Sequence, residues 1–179
     1  MLNDVERVLI TKEELKQKVK ELATQINKDY AGKTPLFVCI LKGSIFFFTD
    51  ILREINIPVN MDFMVVSSYG SGSTSSGQLT IKKDLTIDIC GKDVIIVEDI
   101  VDSGNTLFKL KKLLLERNPA SVKIITLLDK PDRRVVDIQP DYCGFVIPDE
   151  FVIGYGLDYA EKYRTIPEVC ILKRSVYEK

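Results

Sequence analysis

The chain has 179 residues, a formal net charge of -1 and a pI near 5.6, so it lacks the basic excess that nucleic acid or anionic lipid would attract. It contains no histidine, which excludes Ser-His-Asp and Cys-His chemistry and every His-based metal site. Its longest apolar run, LFVCIL at 36–41, is far short of the roughly 20 residues of a membrane span. The four cysteines, Cys39, Cys90, Cys143 and Cys170, form no CxxC pair and read as reduced, buried thiols of a cytoplasmic protein. The length suits one domain over 1–179.

Thr11 and Glu14 make a capping box, and Leu15, Val19, Leu22, Ala23 and Ile26 then follow at helical spacing. LFVCIL (36–41) reads as a buried strand, and Ser44 is the expected cap of a helix over 45–55. Residues 59–67 are β-like, and 78–85 alternate as a more exposed strand. Between them lies SSYGSGSTSSG (67–77), a Ser/Gly patch with too little apolar surface to pack. It fails both nucleotide fingerprints: Ser75 stands where a third glycine belongs, and Gln78-Leu79 where Walker A needs Lys-Ser/Thr. A strand over 93–99, a helix over 104–116 and a strand over 121–129 come next, then short β segments near 142–147, 151–154 and 168–173. Strands alternating with helices predict an α/β fold with a mainly parallel twisted sheet flanked by helices. Such sheets bind ligands beyond the carboxyl ends of their strands. Polar clusters fall there after three strands: Lys42-Gly43, Glu98 to Thr106, and Lys130.

VIIVEDIVDSGNT (94–106) carries the most chemistry. Backbone N–H groups of Ser103, Gly104 and Thr106 at a helix start, with two hydroxyls, make a phosphate cradle. The acids Glu98, Asp99 and Asp102 would repel a bare phosphate. A sugar phosphate resolves the conflict: Glu98 and Asp99 hold ribose hydroxyls or Mg²⁺ with its waters, and Asp102 is left for proton transfer. A plain helix cap at Asp102 or Ser103 is the competing account, but three acids within five residues weigh against it.

This stretch resembles the phosphoribosyl-diphosphate (PRPP) signature of type I phosphoribosyltransferases. With LKGS (41–44), SSYGSG (67–72), LLDKP (127–131) and FVIGYGLDYAEKYR (151–164), the chain resembles bacterial hypoxanthine-guanine phosphoribosyltransferases over essentially its whole length. The resemblance implies a type I phosphoribosyltransferase fold with a small hood and a flexible lid loop. It implies a Mg²⁺-dependent purine salvage enzyme that passes the phosphoribosyl group of PRPP to hypoxanthine or guanine. Asp102 would exchange a proton with purine N7, and Glu98 and Asp99 would meet the ribose and the Mg²⁺ shell. Ser103, Gly104, Asn105 and Thr106 would hold the 5′-phosphate, with Asn105 at a tolerant position. Lys42, Gly43, Ser68, Tyr69 and Arg164 would contact pyrophosphate, with Ser68-Tyr69 on the lid; in the family the peptide before this Lys is often cis. Lys130 would donate to the purine 6-oxo group, which rejects the 6-amino group of adenine. Phe151 would stack on the base, Val152 would offer backbone contact, and Asp158 would support a second Mg²⁺ and face the purine 2-position. The resemblance also implies a dimer or tetramer. A regulator that keeps the fold and binds RNA or DNA would need a basic face, and here charge is balanced.

Overall fold

The computed structural model describes residues 2–68 and 79–178. The elements in order are β1 (Val5–Ile10), α1 (Lys12–Asp29), β2 (Leu36–Leu41), α2 (Ile45–Glu54), β3 (Asn60–Ser68), β4 (Leu79–Lys83), β5 (Asp93–Val101), α3 (Asn105–Leu115), β6 (Ser121–Asp129), β7 (Tyr142–Val146), β8 (Val152–Ile153), β9 (Val169–Leu172) and α4 (Arg174–Tyr177). A six-stranded sheet runs β4-β3-β2-β5-β6-β7, and a three-stranded sheet runs β1-β9-β8. The large sheet is parallel except for β4, which pairs antiparallel with β3 at one edge. The small sheet is the hood.

Strand β2 shows why the apolar runs are continuous. Phe37 and Cys39 enter a core with Leu15, Val19 and Ile26 of α1 and Phe47 and Ile51 of α2. Leu36, Val38 and Ile40 enter the opposite core with Leu107, Leu110 and Leu114 of α3. Successive side chains point to opposite faces, so a sheet covered by helices on both faces needs apolar residues at every position.

The Thr11–Glu14 capping box is present in both directions. Two local expectations are corrected, and one strand was not anticipated. Ser44 does not cap α2: its hydroxyl turns back and donates to the Ile40 carbonyl at 2.7 Å, with Cys39 Sγ at 3.2 Å. Its backbone is already helical (φ -76°, ψ -2°), whereas a capping residue takes an extended conformation. The strand at 93–99 does not end at the acids: β5 runs on to Val101, so Glu98 and Asp99 lie within it and only Asp102 is in the loop. Strand β1 has no clear sequence signal, because of its residues only Ile10 is fully buried and its pairing with β9 shifts register twice.

Asp62 fixes the chain where β4 leaves the sheet. It is 4% exposed, and its carboxylate accepts hydrogen bonds from Phe63 N (2.8 Å), Thr86 N (2.6 Å), Thr86 Oγ1 (3.0 Å) and Ile87 N (3.0 Å). Burial works to raise its pKa, but these bonds together outweigh it and bring the group down to about 2. Against the ordinary aspartate value of 3.8, that drop corresponds to about 2–3 kcal/mol. Because the folded value is depressed, that stability is complete above roughly pH 4 and is lost as pH falls towards the folded value near 2. In urea unfolding, Asp62→Asn is expected to cost about 2–3 kcal/mol at neutral pH, with the gap to the parent narrowing below about pH 4. A gap that does not change with pH would contradict this.

Candidate active site

The carboxyl ends of β2 and β5 and the start of α3 enclose a cavity of about 270 Å³. Its lining includes Gly43, Glu98, Asp99, Asp102, Gly104 and Thr106. The polar clusters after two of the predicted strands thus face one space. The cluster after the third, Lys130, reaches it through ion pairs.

Burial first, and then the adjoining Asp99 charge, push the Glu98 carboxyl well above the ordinary carboxylate range. Burial also raises Asp99, against hydrogen bonds from Glu98, Ile100 and its own backbone and the charge of Arg164. Two carboxylates forced together in this way disfavour full ionisation and suit a cation between them. Among the described residues no three His, Cys, Asp or Glu side chains converge on one point. Two adjoining carboxylates could hold a divalent cation that keeps most of its waters, such as Mg²⁺, rather than one caged by protein. Gly43 leaves room for this pair, since a Cβ there would overlap the Asp99 carboxylate and displace it.

Loop 102–104 turns into α3 through Gly104, whose φ of +82° favours glycine. A Cβ would also crowd Ile138 Cγ2 at 2.7 Å and Arg134 Cδ at 2.9 Å. The start of α3 lines the cavity through Gly104, Thr106 and Leu107 and has no side-chain cap, apart from a long 3.4 Å contact from Asn105 N to Ser103 Oγ. That is an open anion site. Asn105 also turns its amide to Ser103 Oγ at 3.4 Å and does not line the cavity.

The peptide Leu41–Lys42 is cis, as the resemblance implies. Lys42 Nζ pairs with Glu161 at 2.9 Å, and Arg164 lies 3.4 Å from the same carboxylate oxygen. Arg164 also pairs with Asp158 at 2.9 Å and donates to the Gly156 carbonyl at 2.7 Å, while its Nε is buried without a hydrogen-bond partner. A carboxylate thus already bridges the two cations expected to hold pyrophosphate, and one guanidinium donor is still open. Asp158 is paired with Arg164 and accepts from Glu161 N at 2.9 Å, and it is not among the residues lining the cavity of Glu98 and Asp99.

Lys130 is 6% exposed and donates to the Glu150 carbonyl at 2.6 Å. Burial lowers its pKa, and the charges of Asp102 and Asp149 oppose that shift. Val152 is buried on β8, the outer strand of the hood, so one side of its backbone is unpaired in that sheet. Phe151 stacks with Tyr177 (4.9 Å between centroids) and meets Tyr159 edge-on at 5.5 Å. It belongs to an aromatic cluster of the hood, and base stacking would use only what that cluster leaves open. Ser68 ends β3, while Tyr69 and the rest of the proposed lid lie outside the described residues. Sequence reasoning missed Glu161, Arg133 and Asp149: Glu161 lies within FVIGYGLDYAEKYR but was given no role there, and Arg133 and Asp149 are charged residues on surface turns with no motif around them.

A second hollow, about 450 Å³, lies between α1, α2 and residues 164–167 and is lined by Leu15, Val19, Phe46, Tyr155, Ile166 and Pro167 among others. It is larger but holds neither the acid pair nor the phosphate cradle.

A loop that leads from a central parallel strand into an uncapped helix N-terminus, with an acid pair beside it, fits a transferase of phosphorylated sugars. The sequence model of the phosphoribosyl transferase domain matches residues 9–160, and the chain belongs to that family. Within it, the chain is 53% identical over 175 residues to the hypoxanthine-guanine phosphoribosyltransferase of Streptococcus pneumoniae, covering 98% of this chain and 97% of that protein. It is 49% identical over 178 residues to the enzyme of the same name from Bacillus subtilis, covering 99% of each. The crystal structure of a hypoxanthine phosphoribosyltransferase from Staphylococcus aureus superposes with a TM-score of 0.96 at 49% identity, covering 100% of this chain and 97% of that one.

Proposed function

We propose that this chain is a cytoplasmic purine salvage enzyme, one phosphoribosyltransferase unit over 1–179, that transfers the 5-phosphoribosyl group of PRPP to N9 of hypoxanthine or guanine. The products are IMP or GMP and pyrophosphate. The observation that carries the reading is one cavity holding Glu98-Asp99, Asp102 and the N-terminus of α3 together. The near-half identity to hypoxanthine-guanine phosphoribosyltransferases over nearly full length supports the purine class.

In this reading Ser103, Gly104, Asn105 and Thr106 hold the 5′-phosphate, with Asn105 acting through its backbone N–H. Glu98 and Asp99 orient the ribose hydroxyls and face Mg²⁺, which when bound neutralises charge on the departing pyrophosphate. Lys42, Gly43 and Arg164, with Ser68 and Tyr69, take the pyrophosphate oxygens, and the Glu161 carboxylate gives way to them. Asp158 supports a second Mg²⁺. Lys130 donates to the 6-oxo group, Phe151 and Val152 border the base, and N9 is thereby aimed at C1′. As N9 bonds to C1′, the C1′–O pair leaves with pyrophosphate and positive charge enters the ring. The Asp102 carboxylate then takes the N7 proton, and the N–H pair stays on N7. Positioning and electrostatics supply the catalysis.

We further read the protein as a homo-oligomer, a dimer or tetramer, that binds neither nucleic acid nor membrane. Phe46, 41% exposed on the apolar 450 Å³ hollow, supports a contact with a second copy. Among the described residues no helix is long and apolar enough to cross a membrane. The direct test is incubation with PRPP, Mg²⁺ and hypoxanthine, with products separated by chromatography. IMP and pyrophosphate in equal amounts, abolished by EDTA and restored by added Mg²⁺, are expected. No nucleotide, or nucleotide formed equally well in EDTA, would contradict the reading.

A further inference from the structure

Arg133, which no motif singles out, supplies a cationic contact to Asp102. It closes the 3-10 turn Pro131–Arg133 after β6, held by Arg133 N donating to Lys130 O at 3.2 Å and Arg134 N to Pro131 O at 3.0 Å. The turn is locked onto the phosphate loop: Val135 N donates to Ser103 O at 3.1 Å, while Arg134 pairs with Asp129 and donates to Ile138 O at 3.2 Å. From this platform Arg133 Nε lies 3.2 Å from Asp102 Oδ1, and its Nη1 lies 3.3 Å from Asp149 Oδ1. Asp149 in turn lies 3.9 Å from Lys130 Nζ. Asp102 Oδ1 is covered from solvent and makes no hydrogen bond of good geometry, yet the side chain as a whole is 46% exposed. The exposure therefore belongs to Oδ2 and the carbon stem.

We propose that Arg133 is a positioning residue for the reaction: it holds Oδ1 of Asp102 so that Oδ2 alone faces the purine N7. Arg133 touches no reacting atom and acts through Asp102, so the inference rests on the proton-transfer role given to Asp102 above. Both side chains are about half exposed, and an ion pair in that setting adds little to stability. Its consequence falls on the reaction, because a carboxylate free to rotate is less often aligned with the proton it accepts. Asp149 braces the same guanidinium from its other side and links it to Lys130. One chain of alternating charge thus joins the group facing N7 to the group facing the 6-oxo position.

The test is a double-mutant cycle of Arg133→Ala, Asp102→Asn and the combined variant, with kcat and KM measured at saturating PRPP and Mg²⁺. Arg133→Ala is expected to lower kcat about tenfold, with KM for hypoxanthine changed less than about twofold, and Arg133→Lys to recover part of the loss. In the Asp102→Asn background, Arg133→Ala should cost nothing further, since both act on one proton transfer. If Arg133→Ala does not fold, Arg133→Gln, which keeps a donor of shorter reach without the charge, takes its place in the cycle. Unchanged kcat in the Arg133 variant, a loss confined to KM, or additive losses in the combined variant would overturn the proposal. Full activity of Asp102→Asn would instead overturn the reading of Asp102 beneath it.

Discussion

Asp102→Asn is expected to lower kcat for hypoxanthine by about 10²- to 10⁴-fold, the usual contribution of a positioned acid or base. The variant keeps the size of the side chain and its place in loop 102–104. Because the side chain is 46% exposed and contributes no hydrogen bond to the fold, thermal unfolding should be almost unchanged. KM for PRPP should also hold, since in the proposed arrangement the phosphate would be met by the backbone at the start of α3 rather than by this carboxylate. Steady-state kinetics beside a melting curve checks all three. A variant with near-parent kcat would remove Asp102 from the chemistry and leave it as part of a charged rim.

Lys130→Ala carries the second large effect, on the base rather than on the rate. Hydrogen bonds to a charged group are worth about 1.5–3 kcal/mol, so KM for hypoxanthine should rise by roughly 10- to 100-fold. Discrimination against adenine should narrow, because the donor that opposes a 6-amino group is gone. The loss of a side chain only 6% exposed also leaves the Glu150 carbonyl without its donor, so some stability is lost too. The pH dependence has a definite sign. Burial lowers the Lys130 pKa, so the ammonium is lost at a lower pH than in an ordinary lysine. In the parent, KM for hypoxanthine should therefore rise with pH on the alkaline side before free lysine would titrate, and in Lys130→Ala that rise should vanish. A pH-independent KM in the parent, or the same rise in both proteins, would contradict the role.

Much of the fold can be read where local chemistry and tertiary demand agree. The capping box at Thr11 and Glu14 starts α1, and the unbroken apolar runs of β2 and β5 follow from helices on both faces of the sheet. The same alternation of strand and helix brings Lys42, Glu98 to Thr106 and Lys130 to one edge. What escapes the sequence is whatever long-range contact decides. Strand β1 exists because β9, at the other end of the chain, pairs with it. Ser44 has the chemistry of a cap but finds the Ile40 carbonyl first. Glu161 bridges Lys42 from 119 residues away, and Arg133 reaches Asp102 only because its turn is bonded to the phosphate loop. Neither has a spacing that a motif could record. The groups proposed to react could be picked out because they cluster in sequence; those proposed to position them could not, because they cluster only in space.

The central claim is that this site transfers phosphoribosyl groups to 6-oxopurines, and kcat/KM for hypoxanthine, guanine, xanthine and adenine with PRPP and Mg²⁺ tests it most directly. Turnover of hypoxanthine or guanine, with adenine lower by about a thousandfold or more, is the predicted result. Adenine used as well as hypoxanthine, or PRPP bound with no purine turned over, would contradict it.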